Sequence, residues 1–347
     1  MTHAFLNRVA TAVPSRDVDA VFAAWARGRA RGREGQVLDR MLARSGIEHR
    51  YSVLPGGDVP GSMDGGGFYR DGAFPGTAER MRAYVAQAPG LAERAARGLD
   101  ADLRGVTHLV VASCTGFSAP GVDLMLAGAL GLPPGVQRTV VGFMGCHAGI
   151  VALRCASEAV RADPGARVLV VCVELCTLHM QETDDLERLL SFSVFADGAA
   201  AALVTAEPRG LRLGAFRTAL MPDHRDLITW DVGDQGFEMV LSGEVPGVLR
   251  ARLPAAVEAI VPEGAGGIEA WAVHPGGRSV LDAVEAGLDL PPAALDASRG
   301  VLAAHGNVSS ASVLFVLAEL MARGAEGPGL ALAFGPGLTA EAMRFAA

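Results

Sequence analysis

Three short segments hold side chains whose types could act together on a carbonyl carbon. In residues 140–149, VVGFMGCHAG, an apolar run ends at Gly145-Cys146 ahead of a helical stretch. A cysteine at a helix N-terminus meets free backbone N–H groups and the positive end of the macrodipole, which favour its thiolate. Gly145 permits a tight turn there, and Gly149 permits close packing of the helix. In residues 268–277, IEAWAVHPGG, His274 closes an apolar run just before a Pro-Gly-Gly turn. The C-terminal end of a strand is where α/β sheets present functional groups. In residues 302–312, LAAHGNVSSAS, Gly306-Asn307 opens a further helix. Each residue also has a plainer reading. A free cysteine often packs as a small hydrophobe, a strand-end histidine often only hydrogen-bonds, and Asn307 could simply cap its helix. His305 competes with His274 for the histidine role.

As a set, Cys146, His274 and Asn307 describe a thiol nucleophile with support. The histidine could keep the cysteine ionised and later donate protons. Histidine and asparagine could hydrogen-bond an oxygen on which negative charge develops. Papain-like proteases use the same three residue types, but their local signature around the cysteine is absent.

Elements must exist to bring these three together. Valine-rich runs alternate with longer alanine/leucine stretches, the pattern of an α/β protein with helices covering a buried sheet. Buried strands are predicted at 107–113, 138–143, 167–173, 198–205, 268–273 and 329–334. Helices are predicted at 17–30, 35–45, 77–98, 121–130, 147–162, 244–261, 278–287, 292–297 and 308–324. The glycine-rich stretch 54–67 reads as a mobile loop. The main division falls near EPRG, residues 207–210, giving an N-terminal half, 1–208, with the cysteine and a C-terminal half, 209–347, with the histidine and asparagine.

Composition removes several chemistries. The 347 residues contain 30 Lys+Arg, and every one is arginine. Without lysine there is no Schiff-base anchor and no P-loop. A net charge of −8 argues against a general nucleic-acid binder. Apolar runs are shorter than the ~20 residues of a membrane span, and the N-terminus is a poor signal peptide, so a cytoplasmic protein is expected. Cys114, Cys146, Cys155, Cys172 and Cys176 are odd in number and form no CxxC pair. Free thiols are expected, with no disulfide framework and no metal site.

The motifs GFMGCHAG, AVHPGG, HGNVSSAS and AFGPG (333–337), in this order, resemble the type III polyketide synthases, the chalcone-synthase-like family of the thiolase superfamily. ATAVP (10–14), SCTGF (113–117), VLVVCVEL (168–175), FADGAAAALV (195–204) and GFEMVLSGEVPG (236–247) extend the resemblance over essentially the whole chain. It implies a thiolase-like αβαβα fold of two similar layered halves, and a homodimer. It implies that Cys146 takes an acyl group from acyl-CoA. His274 and Asn307 would promote decarboxylation of malonyl-CoA and stabilise the enolate, with no further cofactor. Phe195 matches one gatekeeper between CoA tunnel and cavity. Met239 stands at the second gate, where plant members carry phenylalanine. Gly335 and Gly337 match a loop shaping the cavity wall, although Ala333 replaces a usual glycine. Cys114 matches a cavity position, and Glu174 and Ser309 match positions linked to cyclisation. Cys176, His179 and Trp230 fall on or near the acyl wall. Arg40 and Arg44 fall where basic residues hold CoA phosphates, and Arg278 could replace a third cation missing near Val37. Arginine grips phosphate bidentately, so the absence of lysine is no obstacle.

Residues 47–54, 68–81 and 174–181 look most like bacterial alkylresorcinol and alkylpyrone synthases. That implies a medium- or long-chain fatty acyl-CoA starter. Alternatives are a small or malonyl starter, a ketoacyl-ACP synthase III performing one condensation, and a non-catalytic partner of the same fold.

Overall fold

The computed structural model describes residues 2–261 and 265–347. Its centre is a nine-stranded mixed sheet. From one edge the strands run Ala270–Val273, Pro328–Gly335, Thr339–Ala346, Leu211–Ala219, Ala4–Ala12, Asp197–Thr205, Val168–Leu175, His108–Ser113 and Gln137–Gly142. The two halves meet where Ala4–Leu6 pairs antiparallel with Leu211–Leu213. Outward from that seam, both halves repeat one order: first strand, last strand, next-to-last strand, then an earlier strand joined in parallel. The N-terminal side adds Gln137–Gly142 as an extra edge.

Alternation along the strands sorts side chains into three cores. Val110 and Ala112 face a central core, whereas Leu109 and Val111 face an outer one. The central core holds the helices Ala148–Ala162 and Ser312–Ala322, packed against strands of both halves. The outer cores hold Thr77–Gly98 and Val122–Ala129 on one side, and Val245–Ile260 and Arg278–Gly287 on the other. The result is the five-layer αβαβα order that the resemblance implies. Alanines at 148, 152, 156, 200, 202, 270, 272, 331 and 333 line the central layer. Small side chains let the helices lie close to both sheet faces. A Cβ on Gly149 would collide with the Ser310 carbonyl oxygen.

Several elements escape the sequence pattern. Ala4–Ala12, Leu211–Ala219 and Thr339–Ala346 are strands rich in alanine and arginine, types with little strand preference. Ile228–Gly233 and Gly236–Leu241 form a separate hairpin. The helix expected at 292–297 is a 3-10 turn, Pro292–Leu295, followed by the helix Asp296–His305. The helix expected at 308–324 is a 3-10 turn, Ser309–Ala311, then Ser312–Ala322. The 54–67 stretch is irregular but tied down, because Asp64 accepts from Ser62 Oγ and from the N–H groups of Gly66, Phe68 and Tyr69.

Candidate active site

Two loops at C-terminal ends of sheet strands and one loop between helices converge on one cavity. It is lined by Cys146, His274 and Asn307 together with Phe195, Met239 and Trp230. Its volume is about 70 Å³.

Cys146 lies in the 3-10 turn Gly145–His147, which leads directly into the helix Ala148–Ala162. Gly145 has φ +75°, and a Cβ there would overlap the Pro336 ring. Conformation and contact therefore both demand glycine. The Cys146 thiol is partly accessible and lies 3.6 Å from Ser309 Oγ. Helix position alone favours its thiolate, but desolvation wins here. Burial pushes the thiol up to about 11, against the Ser309 and Asn307 hydrogen bonds that pull it down.

His274 follows the strand Ala270–Val273, and its N–H donates to the Leu332 carbonyl. Its side chain is buried, yet neither ring nitrogen has a hydrogen-bond partner. Burial, with a smaller contribution from His147, pushes it down to about 3. A neutral imidazole carries one N–H donor and one lone pair, and both are uncommitted here. The resting pair is thus thiol and neutral imidazole.

Asn307 is held on both sides. Its backbone N–H donates to Val194 O, and its carbonyl accepts from Ala196 N–H. This short ladder sets it beside Phe195. Its Oδ1 accepts from the Ser309 N–H at 2.8 Å, and its Nδ2 donates to Gly276 O at 3.2 Å. The side chain therefore ties the Ser309 backbone to Gly276 and turns its second N–H toward the Cys146 sulfur. Ser309 pays in conformation, with φ +45°. His305 lies elsewhere, its ring against Phe315 and Tyr51.

The hairpin Ile228–Gly233/Gly236–Leu241 closes the cavity. Trp230 Nε1 donates to the Cys114 carbonyl at 2.8 Å, and Met239 pairs with Trp230 across the strands. His179 stacks on Phe237 with centroids 4.2 Å apart. Its Nε2 reaches Thr115 O, and its Nδ1 accepts from the Phe237 N–H. That pairing fixes the Nε2–H tautomer, and burial pushes the ring down to about 3. His179 is a neutral strut under the hairpin. Cys114 and Cys176 line the cavity too, and burial holds both thiols well above their ordinary range. The Cys114 sulfur sits against the Gly145 N–H and carbonyl.

Ser309 and Gly335 also line the cavity, whereas Glu174 and Gly337 do not. The Glu174 carboxylate lies behind Cys114. It accepts from the Cys114 N–H, Thr115 Oγ1 and Ser310 Oγ. Burial raises it despite these donors. Gly337 turns the chain after the lining residues, with φ +76°.

A wider cavity of about 770 Å³ opens beside the inner one and shares Leu241, Val245, Gly276 and Val280 with it. Arg44 and Arg278 line it, and an Arg278 N–H donates to the Arg44 carbonyl. Arg40 does not line it; its Nε donates to Gln36 O on its own helix. Residues not foreseen as lining include Thr177, Ile228, Leu249 and Phe334. A hairpin signal for part of this wall was present in GDQG (233–236), flanked by alternating residues. Among the described residues, no group of side chains could hold a metal ion. None of their helices is long and apolar enough to cross a membrane.

Residues 36–208 match the family described as chalcone and stilbene synthases, N-terminal domain, and residues 213–347 match its C-terminal domain. An alpha-pyrone synthesis polyketide synthase-like protein of Mycobacterium tuberculosis is 36% identical over 286 residues, 77% of this chain and 72% of that protein. The 1,3,6,8-tetrahydroxynaphthalene synthase of Streptomyces peucetius is 34% identical over 89% of this chain and 83% of that protein. The crystal structure of the C-terminal type III polyketide synthase domain of Steely1 from Dictyostelium superposes with TM-score 0.87 at 25% identity, covering 99% of both chains.

Proposed function

Because the chain belongs to the chalcone and stilbene synthase family, the type III polyketide synthases, we propose that it extends a medium-chain fatty acyl-CoA by repeated decarboxylative condensation with malonyl-CoA and releases an alkylpyrone or alkylresorcinol. It is an acyltransferase whose substrate class is acyl-CoA and malonyl-CoA. The observation that carries the reading is His274, buried in the cavity of Cys146 with both ring nitrogens bare. Such a group is costly to keep unless a reacting molecule completes its hydrogen bonds.

The steps follow from the neutral resting state. The Cys146 sulfur attacks the starter thioester, its proton passes to the His274 lone pair and on to the CoA sulfur, and CoA leaves as the thiol. Malonyl-CoA then places its thioester oxygen between the His274 N–H and the Asn307 N–H that faces Cys146 at rest. Loss of CO₂ leaves an enolate on that oxygen, stabilised by both donors. Its carbon attacks the Cys146 thioester, the bond to sulfur breaks, and the departing thiolate takes a proton from water; the chain, two carbons longer and now on the incoming CoA, returns to Cys146 for the next round. Arg44 and Arg278 sit on the outer cavity, suited to CoA phosphates.

The apolar wall of Met239, Trp230, Leu249 and Val280 suits an alkyl group. The inner volume suits a modest one, since about 10–15 Å³ admits one water. Palmitoyl would need the hairpin to move. The relative named for alpha-pyrone synthesis supports ring closure to a lactone. The small volume also favours a second reading, an acetyl or malonyl starter. Acetyl-, hexanoyl- and palmitoyl-CoA, each with malonyl-CoA, decide by product mass. Hexanoyl-derived products should dominate, and exclusive use of acetyl- or malonyl-CoA would refute the alkyl starter. Turnover of malonyl-ACP but not malonyl-CoA would indicate the ketoacyl-ACP synthase reading instead.

The proposed assembly is a homodimer. Phe117, Leu124 and Val140 are 48%, 47% and 56% exposed around one cavity, beside the free edge of Gln137–Gly142. An apolar patch on an open edge strand needs cover, and a second copy would provide it.

A further inference from the structure

His147 follows the nucleophile and takes no part in the steps above. Its buried ring lies between the Cys146 turn and the loop Pro336–Leu338. Thr339 Oγ1 donates to Pro336 O at 3.2 Å and stands 2.7 Å from His147 Nε2. Thr339 has one hydroxyl proton, so its oxygen accepts from His147, which carries its proton on Nε2. Nδ1 is then a buried acceptor with no partner. A phenyl ring would fill the same space without a bare nitrogen, so the imidazole is informative for the one bond it does make.

That bond crosses between the halves. Gly335 pairs with Thr339 at the tip of the hairpin Pro328–Gly335/Thr339–Ala346. A Cβ on Gly335 would overlap the His147 ring, as one on Gly145 would overlap Pro336. Gly335 and Pro336 are themselves cavity wall, adjoining the nucleophile turn they are tied to.

We infer that His147 and Thr339 form a positioning pair that locks the Gly335–Pro336 wall to the nucleophile turn and so determines how far the growing chain extends. The inference rests on the proposed function, because only an iterating enzyme has a chain length to set. The wall is backbone, so no side chain rotation can compensate when it shifts, and small displacements at a reacting centre are amplified.

The test compares His147→Phe, Thr339→Val and His147→Gln in the full-length protein. Hexanoyl-CoA loading of Cys146 is followed by intact mass, product lengths by mass spectrometry, and amide exchange at 335–338 by hydrogen–deuterium exchange. His147→Phe and Thr339→Val should load Cys146 near the wild-type rate. Both should shift the ratio of products differing by two carbons by roughly 2–10-fold, the worth of one net hydrogen bond. Both should also speed exchange at 335–338. His147→Gln, whose amide N–H can replace Nε2–H, should restore both readouts. Unchanged ratios and exchange in both variants, or loading and extension falling in equal proportion, would overturn the lock. If His147→Phe fails to fold, Thr339→Val, which replaces only a hydroxyl, carries the test. If the wild type fails to condense malonyl-CoA, the proposed function falls, and the exchange arm still decides whether the pair holds the loop.

Discussion

Replacing Asn307 separates two things its amide does. Its Oδ1 satisfies the Ser309 N–H, and its Nδ2 spends one proton on Gly276 O, while the second, on the Cys146 sulfur at rest, can turn to substrate. Asn307→Ala removes both functions. Leaving the buried Ser309 N–H unpaired costs about 1–3 kcal/mol of stability. Losing one donor to a developing oxyanion costs about 2.7–4 kcal/mol in the transition state, a fall of roughly 10²–10³ in rate. Asn307→Asp keeps an acceptor for Ser309 and loses the donor, so its stability should stay above that of the alanine variant while its rate falls at least as far. Acylation of Cys146 draws on His274, so loading from acyl-CoA should fall much less in either variant. The assay follows ¹⁴CO₂ release from labelled malonyl-CoA in parallel with loading by intact mass. Normal decarboxylation with impaired loading in Asn307→Ala would refute the division of labour between His274 and Asn307.

The acid side of the pH profile should lack a limb near 6.5, because His274 stays neutral until about pH 3; a rate that halves between pH 7 and 6 with the fold intact would contradict this. Stability has its own sign. His147, His179 and His274 are pushed down to about 4, 3 and 3, so the unfolded chain takes up protons first. Each then removes up to about 1.4 kcal/mol per pH unit as pH falls below 6.5. Asp197, raised to about 6, and Glu174, also raised, oppose this by binding protons in the fold. The net slope should therefore be smaller than that of three histidines, with stability still falling as pH falls, read from urea midpoints between pH 6 and 4.5. Trp230→Ala should enlarge the cavity, shift preference from hexanoyl toward longer starters and loosen the hairpin; unchanged preference would remove Trp230 from the acyl wall. Val140→Arg should yield monomer by light scattering at micromolar concentration, and an unaffected dimer would place the interface elsewhere.

Much of this architecture is legible in sequence because buried strands such as Val168–Leu175 carry valine and leucine on both faces. Cys146 and Asn307 are legible because each follows a glycine held at positive φ, and His274 because it closes an apolar run before a Pro-Gly-Gly turn. The alanine-rich strands were hidden because their small side chains serve close packing, which periodicity does not encode. Glu174 was legible as a residue of interest but not as a structural clasp, because its partners Thr115 and Ser310 lie 59 and 136 positions away. The helix start behind Cys146 is local and visible, whereas the desolvation that opposes its thiolate comes from walls contributed by distant segments. The role of His147 required knowing which loop from the other half lies against it.

The repeated strand order has a consequence for how such chemistry can be divided. The two central helices begin at equivalent places in the repeat, one behind Cys146 and the other behind Asn307 and Ser309. One copy kept a sulfur at its helix start, and the other kept an amide. Neither half expressed alone would turn over a substrate, and two identical copies of either half would still hold only part of the reaction. A split protein cut between the halves should regain activity only by mixing unlike fragments, which makes the seam between Ala4–Ala12 and Leu211–Ala219 the boundary across which catalysis has to be reassembled.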